Sequence, residues 1–148
     1  MGAWGYGVFD DDTACDFVID LFESDDVVGC CEKEFDSVIG LGYIEYDAGI
    51  AVSVCGAVVD SVLNGTAYSY FFDPDSDLEG EEQFADWISS IRGATGLGAF
   101  ELLKDKAVRS LTLLIAEGSE LFHLWSENEE LFPKWSGVYE KMIERLRA

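Results

Sequence analysis

The segment between Asp47 and Asn64 constrains the fold more than any other part of the chain. It reads AGIAVSVCGAVVDSVL between those two residues, so small and β-branched side chains cover nearly every face of a helix. A helix that is apolar all round has to lie inside the protein, with other elements packed around it. The valines also permit a buried strand, but the length, Asp47 as an N-cap, the polar Asp60 and the Asn64-Gly65 stop favour a helix. The sequence therefore predicts a central buried helix near residues 47–64.

Helical periodicity accounts for most of the remaining chain, because apolar side chains recur at three- and four-residue steps. A length of 148 residues suits one domain. We therefore predict an all-α fold: one compact domain, residues 1–148, built as a bundle of six or seven helices. An acidic loop insertion is expected around 66–80, and a hinge-like glycine connection at 93–98. The other predicted helices cover about 11–23, 32–39, 81–91 and 100–117, a short segment after Ser119, and a last segment from Pro133.

The glycine-rich opening MGAWGYGVFDDD raises the question of a phosphate-binding loop. It contains neither G-x-x-x-x-G-K-S/T nor G-x-G-x-x-G, and it does not follow a strand. Asp10–Asp12 would also repel a phosphate at the start of the first helix. One of these aspartates can cap that helix, and the others favour the positive end of its dipole. We expect instead a flexible structural lead-in around Asp10 that folds three aromatic side chains onto the core: Trp4, Tyr6 and Phe9.

Charge is distributed very unevenly along the chain. The sequence has 9 Lys and Arg against 30 Asp and Glu, a net charge of −21. Through residue 91 a single cation, Lys33, faces 21 acids, whereas from Arg92 onward 8 cations nearly balance 9 acids. This potential disfavours nucleic acids and anionic membranes, and it attracts a basic protein partner. Solubility alone is the alternative explanation, while halophilic adaptation should spread the acids evenly.

Neither a secretion signal nor a membrane span is expected. The N-terminus lacks a basic region followed by an apolar run, and the uncharged stretch Ala48–Val59 has about 12 residues where a span needs about 20. We therefore expect a cytoplasmic protein whose four cysteines are reduced. Cys15 and Cys55 fall on apolar helical faces and are expected to be buried and unreactive.

No residue pattern points to a cofactor or a metal. The segment DPDSD, residues 73–77, resembles the start of a calcium-binding loop, but Leu78 stands where that loop needs Gly and Phe84 where it needs Glu. His123, the one histidine, lies on the polar side of a short predicted helix, which favours a surface position over a catalytic one. Thirty acids always supply carboxylate pairs, so no acid–base pair stands out.

Several stretches together resemble the bacterial family catalogued as domain of unknown function number 4259. They are the opening M-G-x-W-G-x-G-x-F-x-x-D-x-A, then YIEYDAG before the central helix, then SELFHLW and the late Trp135. The resemblance implies a small helical cytoplasmic domain and supplies no reaction or catalytic residues. Two features depart from the family pattern: Asp11 stands where Asn is common, and the segment 66–80 is longer and more acidic.

These features favour a non-enzymatic domain that binds a basic protein, because charge is asymmetric and no catalytic constellation is visible. An immunity-type protein that occludes a basic toxin or nuclease domain fits this description. The alternatives are a metal-dependent hydrolase using clustered carboxylates and a structural homo-oligomeric subunit; like charge opposes self-association, so we expect a monomer or weak dimer. The candidate partner-binding residues are the acids Asp73, Asp75, Asp77, Glu79, Glu81 and Glu82 and the aromatics Tyr68, Tyr70 and Phe72. Acid-rimmed aromatics suit the centre of an interface, and core packing is the alternative role of these three aromatic residues.

Overall fold

The long apolar helix α3, Tyr46–Asn64, lies at the centre of the computed structural model, which describes residues 3–148. Every residue from Gly49 to Val62 is buried, and the seven other described helices all pack against it. A Cβ on Gly56 would lie 3.1 Å from Leu111 carbons and the Met142 sulfur, so glycine permits this close approach. The prediction of a central buried helix is confirmed, but Asp47 lies in its first turn and is not its N-cap. By length and composition α3 is also able to cross a membrane, but 78% of its apolar window is buried inside the protein.

Eight helices and no β-strand make up the described residues, which confirms the all-α prediction and replaces the expected six or seven helices. The predicted helix at 100–117 is two helices because the chain turns at Leu102 and Leu103. This turn buries both Phe100 and Leu103, while Leu102 faces solvent. The helices are α1 Asp12–Glu23, α2 Val27–Ile39, α3 Tyr46–Asn64, α4 Gly80–Thr95, α5 Leu97–Glu101, α6 Lys104–Leu114, α7 Glu120–Ser126 and α8 Phe132–Arg147.

Aspartate side chains begin the first two helices. Asp11 Oδ1 accepts the backbone N–H groups of Thr13 at 2.7 Å and Ala14 at 3.2 Å, which confirms the predicted aspartate cap. Asp26 accepts the N–H of Gly29 at 2.9 Å in the same way. Helix α2 therefore starts at Val27, five residues earlier than the apolar spacing indicates.

The glycine connection after α4 is shorter than predicted. Gly93 lies inside α4 and Gly98 inside α5, so only Gly96 separates the two helices. Its φ of +87° lies in the region that favours glycine. Gly65, with φ +70°, ends α3 in the left-handed conformation typical of a helix stop.

The glycine-rich opening closes around a carboxylate of its own chain. Asp10 Oδ2 accepts the N–H of Gly7 at 3.0 Å, and the Asp10 carbonyl accepts the N–H of Trp4 at 2.9 Å. A Cβ on Gly5 or Gly7 would lie 2.5 or 2.7 Å from the same Oδ2. Both positions therefore need glycine for close approach. The opening is a hydrogen-bonded turn around an internal anion, not the flexible lead-in that the composition indicates.

Of the three aromatics expected in the core, only Phe9 lies there. Trp4 is 63% exposed and Tyr6 is 40% exposed, so the expectation is wrong for these two side chains. The physical reason is the turn: Gly5 and Gly7 face the Asp10 carboxylate, and the residues that alternate with them face outward. Met1 and Gly2 lie outside the described residues.

All four cysteines are free thiols. Cys55 and Cys31 are buried, but Cys15 is only partly buried, contrary to the expectation. Its Sγ donates to the Phe9 carbonyl at 3.5 Å. Burial, and then the neighbouring Asp12 carboxylate, raise the pKa of the Cys15 thiol. This thiol therefore stays protonated near neutral pH, where it is a weak nucleophile.

Candidate acidic interface

Residues 65–79 join α3 to α4 without regular secondary structure. Residues 66–72, which we call the tether, alternate between inner and outer positions, as an extended chain does. Tyr68, Tyr70 and Phe72 pack against the core, while Phe71 between them is 51% exposed. The three aromatic anchor candidates therefore pack on the core while staying partly exposed, and a role for them in binding stays a prediction.

The inner aromatics of the tether join a larger cluster from α1 and α4. The Tyr68 ring lies 5.8 Å from that of Phe84 in an edge-on arrangement. The Phe72 ring stacks on Phe22 at 4.4 Å and meets Trp87 at 5.3 Å. Such pairs contribute about 0.5–1.5 kcal/mol each beyond the area they bury. The cluster thus fixes the position at which the acidic residues after Phe72 begin.

Beneath the tether lies a buried carboxylate whose hydrogen-bond partners no sequence motif indicates. Asp60 on α3 is fully buried. Arg145 on α8 donates to its two oxygens from Nε at 3.2 and 3.0 Å and from Nη2 at 2.8 Å. Asn64 Nδ2 donates at 2.9 Å and the Tyr68 hydroxyl at 2.8 Å. Burial and the adjacent Asp60 carboxylate raise the pKa of Tyr68 far above its ordinary value, so its hydroxyl remains a donor. The network ties α3, the tether and α8 together.

The buried side chain of Gln83 holds the acidic loop, residues 73–82, in one conformation. Gln83 Oε1 accepts the N–H of Asp73 at 2.8 Å, and Nε2 donates to the carbonyls of Asp73 and Leu78, both at 3.0 Å. Within the loop, Asp73 Oδ1 accepts the N–H of Asp75 at 3.0 Å. Hydrogen bonds from Gln83 and Asp73 therefore hold the backbone of the loop in place.

All six candidate acids are exposed on this loop. None of them forms a salt bridge with a lysine or arginine of residues 3–148. Glu81 and Glu82 lie in the first turn of α4, where the helix dipole favours carboxylates, so part of their placement also stabilises the fold. The loop presents a concentrated negative surface without an internal counter-charge among the described residues.

Comparison with known proteins identifies a family for most of the chain. The model of the family described as Domain of unknown function (DUF4259) matches residues 2–137. The chain belongs to this family. The resemblance inferred from the sequence is confirmed. A search of curated proteins and a search of solved structures found no match to this chain.

In the described part of this DUF4259 chain, the residues considered for catalysis or metal binding do not come together. His123 is exposed, as expected; its Nε2 lies 2.6 Å from the Glu117 carbonyl oxygen, and its ring stacks near Tyr43. Within residues 3–148, no three His, Cys, Asp or Glu side chains come together in a way that could hold a metal ion. The DPDSD segment at 73–77 instead uses its first aspartate to organise its own backbone.

In the DUF4259 chain, neither the hydrogen bonds around Asp60 nor those between Gln83 and the acidic loop can be predicted from the sequence, and the reasons differ. A lone acid inside an apolar helix does signal that a cation lies nearby, because an unpaired buried charge is costly. The eight cations from Arg92 onward leave open which one it is, and only the packing of α8 selects Arg145. Gln83 carries no signal at all, since its role depends on backbone groups that the loop itself brings together.

Proposed function

We propose that this chain is a non-enzymatic, cytoplasmic protein-binding domain whose acidic loop occludes a basic surface of another protein. One observation carries the proposal: six exposed carboxylates occupy residues 73–82 and form no salt bridge within residues 3–148. A basic toxin or nuclease domain is the partner class that fits this chemistry, as for an immunity-type protein. Complementary charge would accelerate the encounter and select against acidic proteins.

The construction of the loop supports binding over solubility alone. A surface that only keeps a protein soluble needs charge but no fixed geometry. Here the buried Gln83 side chain fixes the loop, and the Asp60–Tyr68 hydrogen bond anchors the tether that precedes it. A rigid acidic surface loses less entropy than a flexible one when it binds a basic partner.

Affinity purification with matched variants tests the proposal. The loop variant carries D73N, D75N, D77N, E79Q, E81Q and E82Q. The control variant carries D16N, D47N, D105N, E127Q, E129Q and E130Q at exposed positions elsewhere. Each variant has six fewer negative charges, so both move from −21 to −15.

We expect a protein rich in Lys and Arg to be retained at about 0.15 M salt by the unmodified chain and by the control variant, and to be lost from the loop variant. The purified partner should then be inhibited at one-to-one stoichiometry by the unmodified chain. Equal retention by all three baits, or recovery of no cationic protein at either low or moderate salt, contradicts the proposal.

A further inference from the structure

A groove between the end of α1 and the outer side of α4 lies directly beside the acidic loop. It has a volume of about 360 Å³, and Phe22, Trp87 and Asp25 are among its lining residues. The rings of Phe22 and Trp87 lie 6.2 Å apart, and Phe22 is 46% exposed. Phe72, the residue before the acidic loop, stacks on Phe22 at 4.4 Å, so groove and loop form one continuous surface.

One acid lines this groove, and two more lie along α4 towards the acidic loop. Among the described lining residues, Asp25 is the one ionisable side chain. Ser90 also lines the groove, and Glu82 and Asp86 precede it at four-residue steps, so these three residues share one face of α4. Both acids are exposed and lack a salt bridge within residues 3–148. Carboxylates thus run from the acidic loop along α4 to the groove.

We propose that the groove is the subsite for one arginine or lysine side chain of the basic partner, an inference that rests on the proposed function. The aliphatic stem packs on the half-exposed Phe22 ring beside the largely buried Trp87, and the cationic head lies near Asp25. An apolar partner side chain would instead place a methyl group beside that carboxylate. The pocket on the opposite side of α4 is not equivalent, because Arg92 lines it together with Glu81 and offsets the charge of that acid.

A short capped peptide, acetyl-Gly-Arg-Gly-amide, is the probe that tests the subsite. Its neutral isostere with citrulline in place of arginine is the matched control. The indole N–H signal of Trp87, assigned with Trp87→Phe, reports binding to the full chain by NMR at about 0.15 M salt, where distant charges are screened. We expect the arginine peptide to move this signal in a saturable way, and the citrulline peptide to leave it in place.

Variants locate the two parts of the subsite. Asp25→Asn should weaken the arginine peptide about threefold, the loss expected for one exposed charge pair. Asp16→Asn, at an exposed position on α1, should leave its affinity unchanged. Phe22→Ala should abolish the saturable shift, whereas Leu102→Ala, at the most exposed leucine, should not.

The outcomes separate this inference from the proposed function. An unmoved Trp87 signal, or equal movement by the citrulline peptide, overturns the cation subsite. Loop-dependent capture of the basic partner would then still support occlusion. Arginine binding together with equal capture by the loop and control variants would refute occlusion and leave the groove as a cation site on its own.

Discussion

Replacing Arg145 with methionine should destabilise the protein more than replacing Asp60 with asparagine. Asp60 is fully buried, whereas the Arg145 side chain is 37% exposed. Removing one partner of a buried ion pair costs about 3–5 kcal/mol when a buried charge is left behind. Because solvent reaches Arg145, the low end applies, and R145M should cost about 3 kcal/mol.

Replacing Asp60 instead leaves the Arg145 charge without its partner, and this charge can turn towards water. In D60N the guanidinium of Arg145 is already partly exposed, and the new amide still offers an oxygen to Tyr68. The loss should be about 1 kcal/mol, the size of an ordinary hydrogen-bond deletion. The D60N/R145M double variant should be more stable than R145M alone, because a neutral amide needs no cation.

Urea denaturation followed by circular dichroism at pH 7 measures all three free energies of unfolding. A loss of 3 kcal/mol also corresponds to a melting temperature about 6–12 °C lower for a domain of this size. The matched control is R109M, because Arg109 is exposed and lies 4.0 Å from Asp105; it should change stability by less than about 0.5 kcal/mol. A D60N loss as large as that of R145M, or a double variant no more stable than R145M, would refute the reasoning.

Four further outcomes are expected from the structure. Burial raises the pKa of Tyr139 to about 12. In the unfolded chain Tyr139 ionises first, near pH 10, so the free energy of unfolding falls by about 2–3 kcal/mol between pH 10 and pH 12. Urea titrations of Y139F should show a shallower fall across that range. Gly5→Ala should cost about 1–2 kcal/mol through its contact with the Asp10 carboxylate, and clearly less in a D10A background, where only the Cβ at position 10 remains, 3.2 Å away; an equal cost in both backgrounds would exclude the carboxylate contact. Gln83→Ala should speed amide hydrogen exchange across 73–79 more than in α3, and unchanged exchange there would show that Gln83 does not hold the loop. Millimolar Mg²⁺, Ca²⁺ or Zn²⁺ should raise the melting temperature no more than NaCl of equal ionic strength, and a larger shift would favour the metal-dependent hydrolase alternative.

Local pattern accounts for the parts of the fold that the sequence predicts. The burial of α3 follows from side chains that are apolar on every face, and the aspartate cap of α1 follows from its position before an amphipathic run. The irregular segment at 66–80 follows from its turn-forming and acidic composition. Each of these outcomes depends on residues close together in the chain.

Distant partners account for what the sequence does not predict. The counter-charge of Asp60 is one of eight cations in the later part of the chain, and spacing does not rank them. Trp4 is exposed because the turn around Asp10 sets its direction, although a tryptophan ordinarily favours burial. The groove beside Phe22 exists only because α1 and α4 meet there, so its lining by Asp25 is invisible in the linear sequence.

The separation of Asp60 from Arg145 has a consequence during synthesis. The two residues are 85 positions apart, and the carboxylate is made first. At translation rates of about 5–20 residues per second, the delay is on the order of 4–17 s. When Asp60 is made, the nascent chain carries 14 acids and one cation, Lys33, and its most apolar helix holds a charge whose counterion, Arg145, has not yet been added. Emergence of α8 from the ribosome is therefore the event that allows the centre of the domain to close.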